Sequence, residues 1–160
     1  MRRAFQLARA LPDEPLKAFL DKTAGLPRTK EAERLVVQRV GQEVFRDRLL
    51  DYWEGRCAIT GLGVPELLRA SHIKPWADCA SDVERLDVFN GLLLAPHLDA
   101  AFDAGFFTVE NTGDVVVSVM LPVEARQLLG LDRALHIDAL ADRHGEYLAW
   151  HRLNVLKKQP

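Results

Sequence analysis

Two cysteines in 160 residues, Cys57 and Cys79, are too few to build a disulfide framework. At most one bridge could form, and reduced thiols in a cytoplasmic protein are the expectation. The first fifteen residues carry basic side chains and a short apolar stretch. Arg9 breaks that stretch and Pro12 ends it, so a secretory signal is not expected. No apolar run approaches the length needed to span a membrane. Internal repeats and low-complexity segments are also lacking, so solenoid, fibrous and disordered classes drop out. Neither sign of charge dominates, because the net formal charge is only -2.

What is present is ordinary globular material, 48% hydrophobic and 28% charged, enough for one domain with a real core. The charge is unevenly spread. Residues 1–50 hold 11 Lys+Arg against 7 Asp+Glu, whereas residues 51–160 hold 10 against 16. A locally basic face can steer nucleic acid despite a slightly acidic total, and acidic residues suit the surroundings of a cation.

Residues 4–22 have a helical pattern interrupted by Pro12 and Pro15, which predicts two short pieces. Gly25, Pro27 and Thr29 read as a linker, with Thr29 placed to cap the next helix. Val37, Val40, Val44, Phe45, Leu49 and Tyr52 then recur at helical spacing, and Gly55 would stop that helix. Turn residues fill 60–65, and the segment from Glu66 to Ser71 reads as a strand ending at His72. The stretch from Pro75 to Asp87 looks polar and irregular. Asn90-Gly91 is a turn signal before a strand over Leu92–Leu94. Pro96 suits the first position of a helix running to about Ala104 and closed by Gly105. A hairpin over 106–119, a short helix over 122–130 and a helical tail over 138–158 complete the chain.

The chemistry sits in the order strand, His72, loop, Asn90, strand, and a helix bearing His97, Asp99 and Asp103. Hydrolysis of a phosphodiester needs a base for water and positive charge near the phosphoryl and leaving oxygens. A neutral histidine meets the first need and a divalent cation the second. Asp99 and Asp103, four apart, share a helical face and would suit oxygen-seeking Mg²⁺, while His97 would broaden the choice to Mn²⁺, Ni²⁺ or Zn²⁺.

Five ordered segments carry a family resemblance. They are Arg39-Val-Gly-Gln-x-x-Phe-Arg46, Arg56-Cys-Ala-Ile-Thr-Gly61, Ala70-Ser-His-Ile-Lys-Pro-Trp76, Asn90-Gly-Leu-Leu-Leu-x-Pro-His97 and Asp99-x-x-Phe-Asp103. The set resembles the bacterial HNH endonucleases, as does the tail Tyr147-Leu-x-x-His151-Arg152. The resemblance implies an α+β fold: a ββα-metal finger with a long preceding helix, flanking helices and a hairpin. The resemblance covers roughly residues 30 to 155, and the chain is expected to divide into a short N-terminal helical extension over 1–28 and the nuclease domain over 29–160. The resemblance implies His72 as the general base, Asn90 as the residue that holds the base and its loop, and a metal ligand on the helix. His97 matches that ligand by residue type and Asp99 by spacing, with Asp103 as a further candidate. Lys74, Arg69, Arg56 and Arg46 are candidate phosphate contacts.

Two departures stand out. Ser71 occupies the position before the histidine where many relatives have Asp, and Asp99 stands where many have His. Cys57 and Cys79 lack the Cys-x-x-Cys pairing of a structural zinc site, so none is expected. The function implied is metal-dependent hydrolysis of DNA, with restriction or defence as its setting. Double-strand cutting would then need a homodimer or two events. The alternative is a nucleic-acid-binding module with a degenerate core, motivated by Ser71 and the displaced histidine. RNA cleavage is a third reading.

Overall fold

The computed structural model describes residues 13–26 and 31–158. The expected Thr29 cap and the first of the two predicted N-terminal helical pieces lie outside the described residues. The described part of the N-terminal segment is one helix, α1 (Asp13–Thr23), with Pro15 in its first turn, where a missing N–H costs nothing. No helix among the described residues is long and apolar enough to cross a membrane.

Helix α2 (Glu31–Tyr52) is the spine. Its predicted apolar stripe faces inward: Val44, Phe45, Leu49 and Tyr52 are buried, and Val37 and Val40 pack against the same core. Glu54 and Gly55 take positive φ, 54° and 64°, and turn the chain away. Residues 57–62 form a tight loop closed by Cys57 N–H to Leu62 O at 2.9 Å. The free, buried Cys57 sulfur accepts hydrogen bonds from the amides of Thr60 and Ala95. It therefore pins this loop to the start of a later helix.

Strands β1 (Arg69–His72) and β2 (Gly91–Leu94) pair antiparallel, with His72 opposite Gly91. The 18 residues between them, read from sequence as irregular, contain a five-residue helix, α3 (Asp82–Leu86). Ser81 accepts a hydrogen bond from the Glu84 amide as its N-cap. The Ser81-x-x-Glu84 spacing is the helix-start signal that announces it. Helix α4 (Pro96–Asp103) follows β2 and completes a ββα unit. Strands β3 (Phe107–Val109) and β4 (Val115–Val117) form the predicted hairpin, and helices α5 (Val123–Leu129) and α6 (His144–Asn154) close the chain. The tail helix is shorter than expected, since residues 138–143 form turns.

Leu92, Leu93 and Leu94 are fully buried between α2, α4 and the first strand. Each contributes roughly 1.5–3 kcal/mol of apolar burial. Asn90-Gly91 is not a hairpin turn. Gly91 is extended, at φ -146°, and its role is space. A β-carbon there would lie 2.6 Å from Phe45 Cζ and 2.8 Å from both Leu49 methyls. Gly91→Ala is thus expected to destabilise the fold by about 1–3 kcal/mol. A urea midpoint measured by circular dichroism checks this, and an unshifted midpoint would contradict the close approach.

Candidate functional site

A cavity of about 460 Å³ opens over the first strand and α4. Arg69, Ser71, His72 and Trp76 line it from the first strand and its loop. Asp99 and Asp103 line it from α4, and His151 from α6.

His72 has a defined orientation. Its Nε2–H donates to the Arg85 carbonyl at 2.8 Å, an assignment that leaves Nδ1 as the basic nitrogen. The ring stacks on Phe45, centroids 3.8 Å apart and planes 16° apart, and meets Trp76 edge-on at 5.6 Å. Burial lowers its pKa to about 4, against the raising effect of the Arg85 carbonyl. The imidazole is therefore neutral in the folded protein throughout the ordinary pH range.

Asn90 does not reach the cavity. It is wholly buried behind it. Its Oδ1 accepts from the Lys74 amide at 2.8 Å, and its Nδ2 donates to the carbonyls of Lys74 and Glu84 and to Cys79 Sγ. One side chain thus ties both ends of the loop that leaves His72 and returns through Arg85. Arg85 adds a second brace, its guanidinium donating to the carbonyls of Trp76 and Cys79. Asp87 anchors the far end, accepting from Arg143 and Tyr147 of the tail, each at 3.0 Å.

On α4, Asp99 and Asp103 both face the cavity and His97 does not; it is exposed. At about 100° of rotation per residue, two positions put His97 on the other side of the helix from Asp99. The Asp103 carboxylate accepts a hydrogen bond from the buried Ser71 hydroxyl at 3.4 Å. Asp103 is exposed as a residue, yet partial desolvation of its carboxyl, then the Asp99 charge, push its pKa up to about 6, with the Ser71 hydroxyl opposing. Two carboxylates that repel one another in a partly dry site are a donor set suited to a hard divalent cation. Among the described residues no cluster of three or more His, Cys, Asp or Glu side chains forms a ready metal cage. Water or substrate oxygens would have to complete any coordination here.

The four candidate phosphate contacts separate. Arg69 is exposed and lines the cavity. Lys74 is paired with Glu84 at 2.9 Å, and its ammonium is largely covered. Arg46 donates to the carbonyls of Leu68 and Pro65, fixing the approach to the first strand. Arg56 donates to Gly61 O and lies outside the cavity. Sequence reasoning missed Phe45 as the platform beneath His72, the Arg85 carbonyl, and His151 as a wall. His151 is buried, stacked on Phe102 at 3.9 Å, with its nitrogens at Thr108 Oγ1 and the Phe102 carbonyl.

Burial lowers the His151 pKa to about 4 as well, opposed by the Phe102 carbonyl and aided by the Arg152 charge. Both histidines titrate near 6.5 when unfolded. Below pH 6.5 the unfolded chain takes up protons that the folded chain refuses, so stability falls as pH drops from 6.5 toward 4. Asp103, with its raised pKa, opposes this between about pH 4 and 6, one group against two. The urea midpoint is expected to fall between pH 6.5 and 5, and less steeply in His151→Gln. Equal slopes in parent and variant would contradict the assignment.

No curated protein matches the chain. Residues 57–110 match the family model described as HNH endonuclease, a span running from the Cys57 loop through both strands and α4 to the end of the third strand. Over that segment the chain is similar to the HNH endonucleases, and the segment carries the strand–loop–strand–helix order with a cavity lined by His72 and the α4 carboxylates.

Proposed function

We infer that the protein is a metal-dependent endonuclease that hydrolyses DNA phosphodiester bonds, with His72 as general base. The observation that carries this reading is a neutral, oriented imidazole sharing one cavity with two helix-borne carboxylates. Nδ1 of His72 takes a proton from the attacking water. Its low pKa reflects burial without a counter-charge, so an anionic phosphate in the cavity raises it toward working pH. Asn90 is a positioning residue: it fixes the loop whose Arg85 carbonyl sets the imidazole tautomer. Arg69 meets a phosphate oxygen at the rim.

Asp99 and Asp103 would hold the cation, Asp103 steadied by Ser71, the residue that stands where many relatives have a carboxylate. A divalent ion bound there, Mg²⁺ by the hardness of these oxygens, supplies charge neutralisation at the phosphoryl and leaving oxygens. In a cell, restriction or another defence against foreign DNA is the setting that fits such a core.

The test is metal affinity read separately from cutting. Asp99→Ala is expected to raise the Mn²⁺ concentration needed for half-maximal plasmid nicking by about tenfold or more. Calorimetric Mn²⁺ binding without DNA should weaken in parallel, and His97→Ala should change neither. Loss of activity in His97→Ala with Asp99→Ala unaffected would reverse the ligand assignment.

One observation favours a second reading, a nucleic-acid-binding module with a degenerate core: Ser71 stands where many relatives have a metal-binding carboxylate, and the histidine of α4, His97, lies away from the cavity. Salt-sensitive DNA binding by the parent with no nicking under any divalent ion would establish it.

A further inference from the structure

A second cavity, of about 300 Å³, lies between α1, α2 and α3, and Trp76 is a wall of both it and the cavity that holds His72. Its volume is at the lower end of the roughly 300–1,000 Å³ typical of ligand sites. Phe19, Val37 and the Trp76 indole give it apolar walls. The indole is fixed, since it lies against α2 at Gly41, where any β-carbon would sit 2.5 Å from Cη2. At the polar side, Arg85 and Asp82 are paired with each other at 3.0 Å. Arg34 and Gln38, one helical turn apart on α2, also line it, and neither has a hydrogen-bond or ion-pair partner among the described residues.

Aromatic walls beside an amide and a guanidinium are the chemistry that receives a nucleobase. The aromatic surface takes the π-face, the amide offers a donor and an acceptor to a base edge, and the guanidinium meets the adjoining phosphate. We propose that the cavity lined by Trp76, Phe19, Gln38 and Arg34 is a nucleobase subsite, holding an unstacked base of the strand whose phosphate lies at His72. The inference rests on the nucleic-acid substrate of the proposed function. It adds a source of base preference next to the cutting site. Because Arg85 walls this cavity and its carbonyl holds His72, an occupied subsite also touches the element that orients the base of the reaction.

The test titrates the full chain, in EDTA, into a single-stranded oligonucleotide containing 2-aminopurine. Parent, Gln38→Leu and Arg34→Ala are compared, each checked for folding by circular dichroism. Plasmid nicking with Mg²⁺ and Mn²⁺ is run on the same preparations. The parent is expected to change 2-aminopurine fluorescence, and each variant to weaken that binding about threefold or more. Sequenced nick positions should show a base preference in the parent that Gln38→Leu loses. Fluorescence changes sensitive to both variants, without nicking, would keep the subsite and overturn the nuclease reading. Nicking whose sequence profile and 2-aminopurine binding are the same in parent and both variants would overturn the subsite and keep the nuclease. Neither nicking nor a fluorescence change would overturn both.

Discussion

His72→Ala is expected to lower metal-dependent nicking by about 10²–10⁴-fold, the usual worth of a positioned general base. The loss should fall on the chemical step and leave DNA binding in EDTA nearly unchanged, because the neutral ring carries no charge to meet a phosphate. The variant should still fold. Its ring is stacked on Phe45 and bonded to a single carbonyl, so removal costs packing but strands no charged partner. His72→Gln is a useful companion, since an amide could keep the bond to Arg85 O without supplying a base. It should be as inactive as the alanine variant and more stable. A variant lacking His72 that cuts at the parent rate would remove this residue from the mechanism.

Asn90→Ala should be the most damaging single change outside the cavity. The side chain is fully buried and satisfies one amide and two carbonyls in the loop from Lys74 to Glu84. Truncation leaves those groups without partners in a dry place, at about 1–3 kcal/mol each before relaxation, so a net loss of about 2–4 kcal/mol is expected. Activity should fall as well, even well below the melting temperature, because the Arg85 carbonyl that holds His72 belongs to the same loop. Asn90→Asp separates the two effects. It keeps the acceptor for the Lys74 amide but sets a carboxylate oxygen against the Lys74 and Glu84 carbonyls, so it should be destabilised too. Denaturant midpoints and nicking rates, both measured well below the melting temperature, check the pair. A stable, inactive Asn90→Ala would mean instead that Asn90 acts on substrate.

The ββα core was legible because its signals are local. Pro96 at the first helical turn, Gly105 after the last, and the run Leu92–Leu94 each specify conformation within a few residues. The shared helical face of Asp99 and Asp103 follows from spacing alone, and both do line the cavity. What could not be read depends on contacts distant in sequence. Gly91 reads as a turn until Phe45 and Leu49, more than forty residues earlier, are seen against it. The cationic residues near His72 look alike in sequence. Only the fold assigns Arg46 to carbonyls, Lys74 to Glu84, and Arg69 to the cavity. His97 matches the family's ligand by residue type but lies on the side of α4 away from the cavity, as the period of 3.6 implies for a residue two positions from Asp99. The helix over Asp82–Leu86 was missed despite its Ser81-x-x-Glu84 start, because a five-residue helix with only Val83 and Leu86 apolar is too short to show a period.

The most direct measurement is the end chemistry of cut plasmid. Purified parent protein is incubated with supercoiled DNA and Mg²⁺ or Mn²⁺, with EDTA as control, and the nicked product is treated with DNA ligase. The proposed water activation by His72 beside a carboxylate pair predicts nicks that need the metal, and the resemblance to the HNH endonucleases implies 5′-phosphate and 3′-hydroxyl ends that reseal directly. Nicks that form in EDTA, or that ligase cannot close because the phosphate remains on the 3′ side, would contradict it.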